Sequence, residues 1–405
     1  MEFTSEFFSK NRQRLLESSE AELIILSANG LLQRSSDTTF PFRQDSNFWY
    51  LTGIEEPDYI LVIGSEVTFL IMPPRAEHRD LWDGAVDIKA LQTTSGIEEI
   101  LDHHAGWNKL DHLIKKIKKV HTITPVEAYF DSFGFYANPA RGALLAALKK
   151  HRSLELIDIR KHIARLRQIK QEVEIMALQR AIDITAETLT EIRNNIETYK
   201  TEYELVADIT SGYIRRGAAG HAYQPIVAGG GNAATIHYMS CNAELADNDL
   251  LLLDVGAEFK NYSADISRTW SRGKPSARQK AVFKAVEKVQ QAAFKLLKPG
   301  VTFKAYEQQV DDLMAIELKE LGLINDITDK KKLKKYYPHL ASHFLGLDTH
   351  DAADYELPLA PGMVLTVEPG IYIPEENIGV RIEDNIVITK TGNKILSAAL
   401  PHNLF

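Results

Sequence analysis

LLLDVG at 251–256 and SADISRT at 263–269 are the first two of four short blocks that place acidic or histidine side chains beside strand-like or turn-like runs. The other blocks are SHFLGLDTHD at 342–351 and TVEPG at 366–370, the latter followed by GVRIEDN at 379–385. Hard divalent cations favour oxygen ligands, and a histidine admits Mn, Co or Zn. The blocks therefore predict a metal-activated hydrolase with two cations, held by Asp254, Asp265, His343, Glu368 and Glu383.

The two aspartates have a simpler explanation when each is taken alone. Asp254 ends an apolar strand at 250–253, and Asp265, 11 positions later, precedes a second strand at 266–270. Two antiparallel strands joined by a turn near 259–261 can present both carboxylates to one space. An aspartate at a strand end is nevertheless more often a turn former than a ligand.

The remaining blocks carry the same ambiguity. Glu368 ends a buried strand and needs a partner, because an unpaired buried carboxylate is costly. Strict alternation would place Arg381 and Glu383 on one face, where a surface ion pair is the simpler interpretation. His343 and His350 flank Gly346 and are equally explained as core or ligand residues. If the four carboxylates cluster in space, which their positions in the sequence do not show, they would repel strongly without cations, and this favours the metal interpretation of the whole set.

Composition limits the function classes. The chain has 405 residues, enough for two or three domains, and its formal charge of 47 − 55 = −8 argues against nucleic-acid binding. No run approaches 18 apolar residues, so we expect no membrane span. The single cysteine, Cys241, excludes an intramolecular disulfide and favours a reducing compartment. No signal peptide is visible at the N-terminus, so a cytoplasmic location is predicted.

The pattern of elements changes near residue 165. Before it, strands at 23–26 and 154–159, a hairpin around Gly64 and a helix at 144–150 indicate an α/β domain. After it, amphipathic helices and antiparallel-looking strands indicate an α+β domain. The predicted helices are 172–197, 277–297 and 304–321, and the predicted strands are 224–227, 250–255, 266–270, 364–367 and 382–388. Two further segments are interpreted as a flexible turn at 229–231 and a solvated lysine-rich helix or loop at 330–335.

These blocks together resemble the aminopeptidase P (Xaa-Pro aminopeptidase) branch of the pita-bread metallopeptidases. The N-terminal stretch PFRQDSNFWYLTG at 41–53 is similar to this branch and absent from methionine aminopeptidases. The resemblance runs over nearly the whole length. It implies an α/β N-terminal domain at 1–165 and an α+β pita-bread (creatinase/aminopeptidase-like) catalytic domain at 166–405.

The resemblance also implies roles for individual residues. Asp254 would chelate one metal, Asp265 and Glu383 would bridge both, and His343 and Glu368 would complete the second. Glu368 would also act as general base and acid. The positions matching substrate-side or neighbouring groups of the family are His237, His350, Arg381, Tyr372, Tyr223 and His339.

The activity implied is release of the N-terminal residue from peptides with proline in second position, through a hydroxide bridging two metal ions. Mn²⁺ is the expected metal, with Zn²⁺ or Co²⁺ as alternatives. The partners implied are such peptides and further copies of the chain in a homodimer or homotetramer. Two alternatives stay open: an Xaa-Pro dipeptidase, and a non-catalytic binding protein on the same fold.

Overall fold

The computed structural model describes residues 2–76, 78–124 and 134–404. Its backbone contacts divide the chain into two compact units, one ending at Leu166 and the other beginning at Arg167. Each unit has its own hydrophobic core, and each is described separately below. None of the helices within the described ranges is long and apolar enough to cross a membrane.

A mixed six-stranded sheet forms the centre of the N-terminal unit, in the order β6-β5-β4-β1-β7-β8. The pairs β1–β4 and β4–β5 are antiparallel, and the other three pairs are parallel. A separate hairpin is formed by β2 and β3. The strands are β1 Leu23–Ser27, β2 Gln33–Ser35, β3 Thr38–Thr39, β4 Ile60–Gly64, β5 Thr68–Ile71, β6 Glu99–Leu101, β7 Lys119–Thr122 and β8 Glu155–Asp158.

Helices accompany this sheet, as an α/β unit requires. Their starts follow local capping chemistry: the Asp45 carboxylate accepts the amides of Asn47 and Phe48, and Asp102 accepts the amide of Ala105. The helices are Ser5–Ser19, Ser46–Thr52, Arg79–Asp83, Ile88–Ser95, His103–Ile114, Pro139–Leu148 and Arg160–Arg167. The buried core of the unit includes Leu23, Ile25, Val62, Phe69 and Leu110.

The C-terminal unit contains the long helices that the sequence predicts, and one that sequence analysis did not single out, Glu202–Arg215. The helices that start at Glu172 and Ala277 begin at the predicted residues, and a reciprocal capping box stabilises each of these N-termini. The lysine-rich segment is helical. The helices are Glu172–Asn194, Glu202–Arg215, Ala277–Leu296, Phe303–Glu320 and Lys330–Tyr336.

Short antiparallel strands make up the rest of this unit. They form three sheets of three strands, β10-β11-β14, β13-β12-β9 and β15-β18-β19, and the hairpin β16-β17. The strands are β9 Gly220–His221, β10 Ile226–Gly229, β11 Leu250–Val255, β12 Ala257–Phe259, β13 Tyr262–Ser263, β14 Ile266–Ser271, β15 Val364–Val367, β16 Gly370–Ile373, β17 Ile378–Arg381, β18 Asp384–Ile388 and β19 Asn393–Ile395.

Two local predictions need correction. The strand predicted at 382–388 begins at Asp384, and Arg381 belongs to a separate strand, so the chain changes pairing partner between Arg381 and Asp384 and the two residues Arg381 and Glu383 do not alternate along one strand. The glycines at 229–231 lead into a short 3-10 helix, Gly230–Ala234, instead of a plain turn. This helix contacts β17 closely: a Cβ at Gly379 would lie 1.9 Å from the Ala233 carbonyl oxygen. Only glycine allows that approach.

Candidate metal centre

The two aspartates are brought together by the pairing of β11 with β14. Asp254 lies opposite Ser267 in this antiparallel ladder, and Asp265 immediately precedes β14. The backbones approach so closely that a Cβ at Gly256 would lie 1.8 Å from the Ala264 carbonyl oxygen. The glycine of the LLLDVG block therefore allows the contact that places both carboxylates in one space.

His343 and Glu368 are held by a shared threonine on β15. The Thr366 hydroxyl accepts the amide of His343 at 3.0 Å and donates to Glu368 Oε1 at 3.1 Å. His343 Nδ1 lies 3.0 Å from the Phe344 carbonyl oxygen, so this nitrogen carries the hydrogen and donates it. The other ring nitrogen, Nε2, lies 3.3 Å from Asp265 Oδ2 and 3.2 Å from Glu368 Oε1. The imidazole thus presents Nε2 to the carboxylates, the orientation that a metal ligand needs.

Glu383 supplies the observation that tests whether a cation fits. Its Oε2 accepts the Ser267 hydroxyl at 2.7 Å, whereas its Oε1 is buried and has no hydrogen-bond partner among the described residues. A buried carboxylate oxygen without a partner is costly. Ligand atoms of Asp265, His343 and Glu383 all lie within 4.8 Å of one another. Three buried oxygen and nitrogen donors with one unsatisfied oxygen fit a divalent cation.

The electrostatics of the centre agree with that assignment. Burial, reinforced by the neighbouring carboxylates, raises the pKa of Glu383 well above its ordinary value and also raises the pKa of Asp265. Burial likewise raises the pKa of Glu368 to about 7. Because desolvation and like charges both penalise the ionised forms, a cation among these groups would relieve the penalty. The chain therefore supplies a site where positive charge is strongly favoured.

Tyr223 and Arg381 close the site around Asp254. The Tyr223 hydroxyl lies 2.5 Å from Asp254 Oδ1 and 2.6 Å from Asp265 Oδ1, so its one hydrogen can be donated to either carboxylate. Arg381 donates from Nη2 to Asp254, from Nη1 to the Tyr372 hydroxyl and from Nε to the Ser267 hydroxyl. Arg381 is 2% exposed. Its guanidinium thus fixes the geometry around Asp254.

Three further histidines surround the ligand set. The His350 ring stacks on His343 with centroids 3.9 Å apart, and burial together with the charges of His343 and His237 lowers the pKa of His350 to about 4. His339 Nε2 lies 2.8 Å from the Tyr372 hydroxyl, and burial with nearby Arg381 lowers the pKa of His339 to about 3. His237 lies in an exposed turn after the 3-10 helix. His339 and His350 are therefore neutral imidazoles near pH 7.

Nearly all the residues that the sequence and the resemblance single out meet at one cavity of about 390 Å³. Its lining includes the five predicted ligands and Tyr223, His237, His339, His350 and Arg381. Tyr372 is not among the lining residues: it is buried and contacts Arg381 and His339 from behind. Arg381 and Glu383 both reach the cavity although they do not share a strand.

The residues that hold the predicted ligands in place were not among those that the sequence singled out. Ser267 donates a hydrogen bond to Glu383, and Thr366 bonds both His343 and Glu368. The Asn385 side chain accepts the Asp265 amide and donates to the Asp265 carbonyl oxygen. Each lies two positions from a ligand in the sequence, which is the spacing that places side chains on one face of a strand. That alternation could have identified them. The apolar part of the lining had no such signal, and it comprises Ile226, Ile236, Met239, Leu340 and Tyr355.

The chain is similar to known metallopeptidases over both of its units. Residues 176–390 match the family described as metallopeptidase family M24, and residues 8–122 match the aminopeptidase P N-terminal domain. It is 32% identical to the Xaa-Pro aminopeptidase of Haemophilus influenzae, across 98% of this chain and 95% of that one. It is 33% identical to human Xaa-Pro aminopeptidase 3, across 96% of this chain and 80% of that one.

A solved structure shows the same architecture. Aminopeptidase P from Escherichia coli, determined with the inhibitor Pro-Leu, superposes with a TM-score of 0.87 at 30% identity and covers 100% of this chain and 97% of that one. The predicted fold class is confirmed: an α/β N-terminal domain followed by an α+β pita-bread domain. With the family match covering more than half of its length and a buried acidic and histidine cluster at its centre, the chain belongs to metallopeptidase family M24.

Proposed function

We propose that this chain is a metal-dependent exopeptidase that releases the N-terminal residue from peptides with proline in second position. The observation that carries the proposal is the arrival of Asp254, Asp265, His343, Glu368 and Glu383 at a single cavity. The names of the relatives that match it over nearly its whole length support the substrate class. All five positions keep side chains able to bind a cation, which disfavours a non-catalytic binding protein.

The side chains around the cavity can perform the proton transfers of peptide hydrolysis. A divalent cation bound here would polarise the scissile carbonyl and lower the pKa of water. Glu368, whose pKa burial raises to about 7, can accept a proton from the attacking water and return it to the leaving nitrogen near neutral pH. His237 and the neutral imidazole of His350 can hydrogen-bond the scissile group as negative charge develops on its oxygen.

Proline in second position requires a site that does not depend on the scissile amide hydrogen. A prolyl nitrogen has no hydrogen and its ring fixes φ. An enzyme for such bonds must orient the substrate through the carbonyl and through apolar contact with the ring. This cavity offers both kinds of group, because its lining includes histidines and the apolar side chains Ile226, Ile236 and Met239.

Cleavage of matched peptides tests the proposal. We expect hydrolysis of an Xaa-Pro-Xaa tripeptide by the metal-loaded chain, with weak or absent cleavage of the Xaa-Ala-Xaa analogue. The dipeptide Xaa-Pro separates an aminopeptidase from a dipeptidase. Turnover of dipeptides alone would favour the dipeptidase alternative, and no turnover of any peptide after loading with Mn²⁺, Co²⁺ or Zn²⁺ would favour the binding protein.

For the cofactor, we propose two Mn²⁺ ions. A carboxylate-rich set with one imidazole suits Mn²⁺, while the same set also accepts Zn²⁺ or Co²⁺. Asp265, His343 and Glu383 would be among the residues that hold them, and metal analysis of the purified protein tests the identity of the metal and the number of ions per chain. A homodimer or homotetramer is expected from the resemblance and is tested by sedimentation. The single free cysteine, Cys241, is what supports a reducing, cytoplasmic location.

A further inference from the structure

One segment of the cavity has little regular structure of its own. Residues 235–243 follow the 3-10 helix Gly230–Ala234 and lead towards β11 without forming a helix or a strand. They carry three of the lining residues, Ile236, His237 and Met239, and the last two of these are exposed. A histidine on such a segment holds a fixed position only if the segment is anchored elsewhere.

The anchor is the carboxylate of Glu202. This residue is the first of the Glu202–Arg215 helix and is completely buried. Its Oε1 accepts the Gly229 amide at 2.9 Å and the Asn232 side-chain amide at 3.0 Å. Its Oε2 accepts the Tyr238 hydroxyl and the Ala243 amide, each at 2.9 Å. Four donors fill the acceptor capacity of one carboxylate, and the helix N-terminus favours its negative charge.

The four donors are distributed so that they fix the segment at both ends and in the middle. Gly229 and Asn232 precede it, Ala243 ends it, and Tyr238 is the neighbour of His237 in the chain. The Glu202 amide also donates to the Ala243 carbonyl at 3.0 Å, so the C-terminal end is held twice. Burial makes these bonds strong, because water does not compete for them.

We propose that Glu202 and Tyr238 are positioning residues, which hold His237 against the substrate cavity. The inference rests on the proposed function, because it assigns His237 a contact with the scissile group. Glutamine cannot replace Glu202, since each oxygen accepts a backbone amide, from Gly229 or from Ala243. Whichever way the amide group of a glutamine turned, its NH₂ would face one of those N–H groups and leave it unpaired.

The chain offers a matched pair of substitutions. Tyr238→Phe removes one hydroxyl that donates to a carboxylate of the Glu202–Arg215 helix. Tyr199→Phe removes the same kind of bond, 2.8 Å long, to Asp208 on that helix. Neither Tyr199 nor Asp208 contributes to the cavity lining. Asp208 is exposed whereas Glu202 is completely buried, so Tyr199→Phe should lower the free energy of unfolding by less than Tyr238→Phe. Denaturant unfolding of both variants establishes that each is folded under the assay conditions, so that a difference in activity between them reports the position of His237.

Steady-state kinetics on an Xaa-Pro-Xaa peptide then test the inference. Loss of one hydrogen bond to a charged group predicts that Tyr238→Phe lowers kcat/KM about tenfold, mainly through kcat, and that Tyr199→Phe leaves it unchanged. In a His237→Ala background, Tyr238→Phe should have no further effect. Wild-type kinetics for Tyr238→Phe, or a full additional loss in that background, would overturn the proposal.

Hydrogen exchange separates this inference from the proposed function. Backbone amides at 229–243 should exchange about tenfold faster in Tyr238→Phe than in wild type or Tyr199→Phe, because the segment opens locally. If the wild type cleaves no prolyl peptide, the proposed function is refuted, and the exchange result still decides the anchor. Unchanged exchange in both Tyr238→Phe and Glu202→Gln would refute the anchor even if the wild type is active.

Discussion

Metal binding at this centre should displace a proton from His343. Burial opposes a charged imidazole there, but the hydrogen bond to Asp265 and the charges of Glu368 and Asp265 outweigh burial and raise the pKa of His343 to about 9. The proton sits on Nε2, between an Asp265 oxygen at 3.3 Å and a Glu368 oxygen at 3.2 Å. Imidazole coordinates a cation only through an unprotonated nitrogen. The proton and the cation therefore compete for this position.

The structure gives the size and the sign of the effect. Because the pKa of His343 is raised, the metal-free protein keeps this proton below about pH 9. The apparent association constant for a divalent cation should therefore fall roughly tenfold for each pH unit below that value. The loss between about pH 9 and pH 7 is then roughly hundredfold. Glu368, with a pKa of about 7, adds a second proton and steepens the dependence in more acidic solution.

Calorimetric titration of the metal-free protein with Mn²⁺ measures both the association constant and the number of protons released on binding. In two buffers of different ionisation enthalpy, binding at about pH 8 should release roughly 0.9 proton from His343. His339→Asn is the matched control: the pKa of His339 is lowered to about 3, so this variant should keep the full pH dependence. The same affinity at pH 7 and pH 9, without proton release, would refute the reasoning.

Three further outcomes follow from burial and charge. Asp265→Ala should abolish Xaa-Pro-Xaa hydrolysis while circular dichroism stays that of the wild type, and undiminished turnover would contradict the metal assignment. Arg268→Met removes a fully buried partner of Asp384 and should lower the free energy of unfolding by about 3–5 kcal/mol, whereas Arg278→Met, from a partly exposed ion pair, should cost less than about 1 kcal/mol; denaturant unfolding compares them. Burial raises the pKa of Glu174 from 4.5 to about 7, so the folded state binds this proton more tightly than the unfolded chain does. The stability that this tighter binding gives at low pH is lost as pH rises through the folded-state pKa. Unfolding free energies at about pH 5 and pH 8 should show wild type losing roughly 2–3 kcal/mol relative to Glu174→Gln, and a constant difference would contradict this.

Local features were predictable where side-chain chemistry and periodicity decide them. The long helices begin where the sequence places capping residues. The strands next to Asp254, Asp265 and Glu368 coincide with apolar runs in the sequence. The division of 379–388 into two strands was not predictable, because alternation continues across the point where the chain changes its pairing partner. A pattern of side chains records which face is buried but not which strand lies beside it.

The sequence by itself determined the kinds of ligand atom, their placement beside strands, and through resemblance the family. Only the tertiary structure decided that side chains spread over 383 − 254 = 129 positions reach one cavity. Only the structure shows that Tyr223 and Arg381 bond Asp254 and that four donors bond Glu202. It also shows that one Glu383 oxygen has no partner within the part of the chain that it describes. The physical reason is that pKa values and buried hydrogen bonds depend on neighbours far away in the chain, whereas propensity and capping depend on neighbours within a few residues.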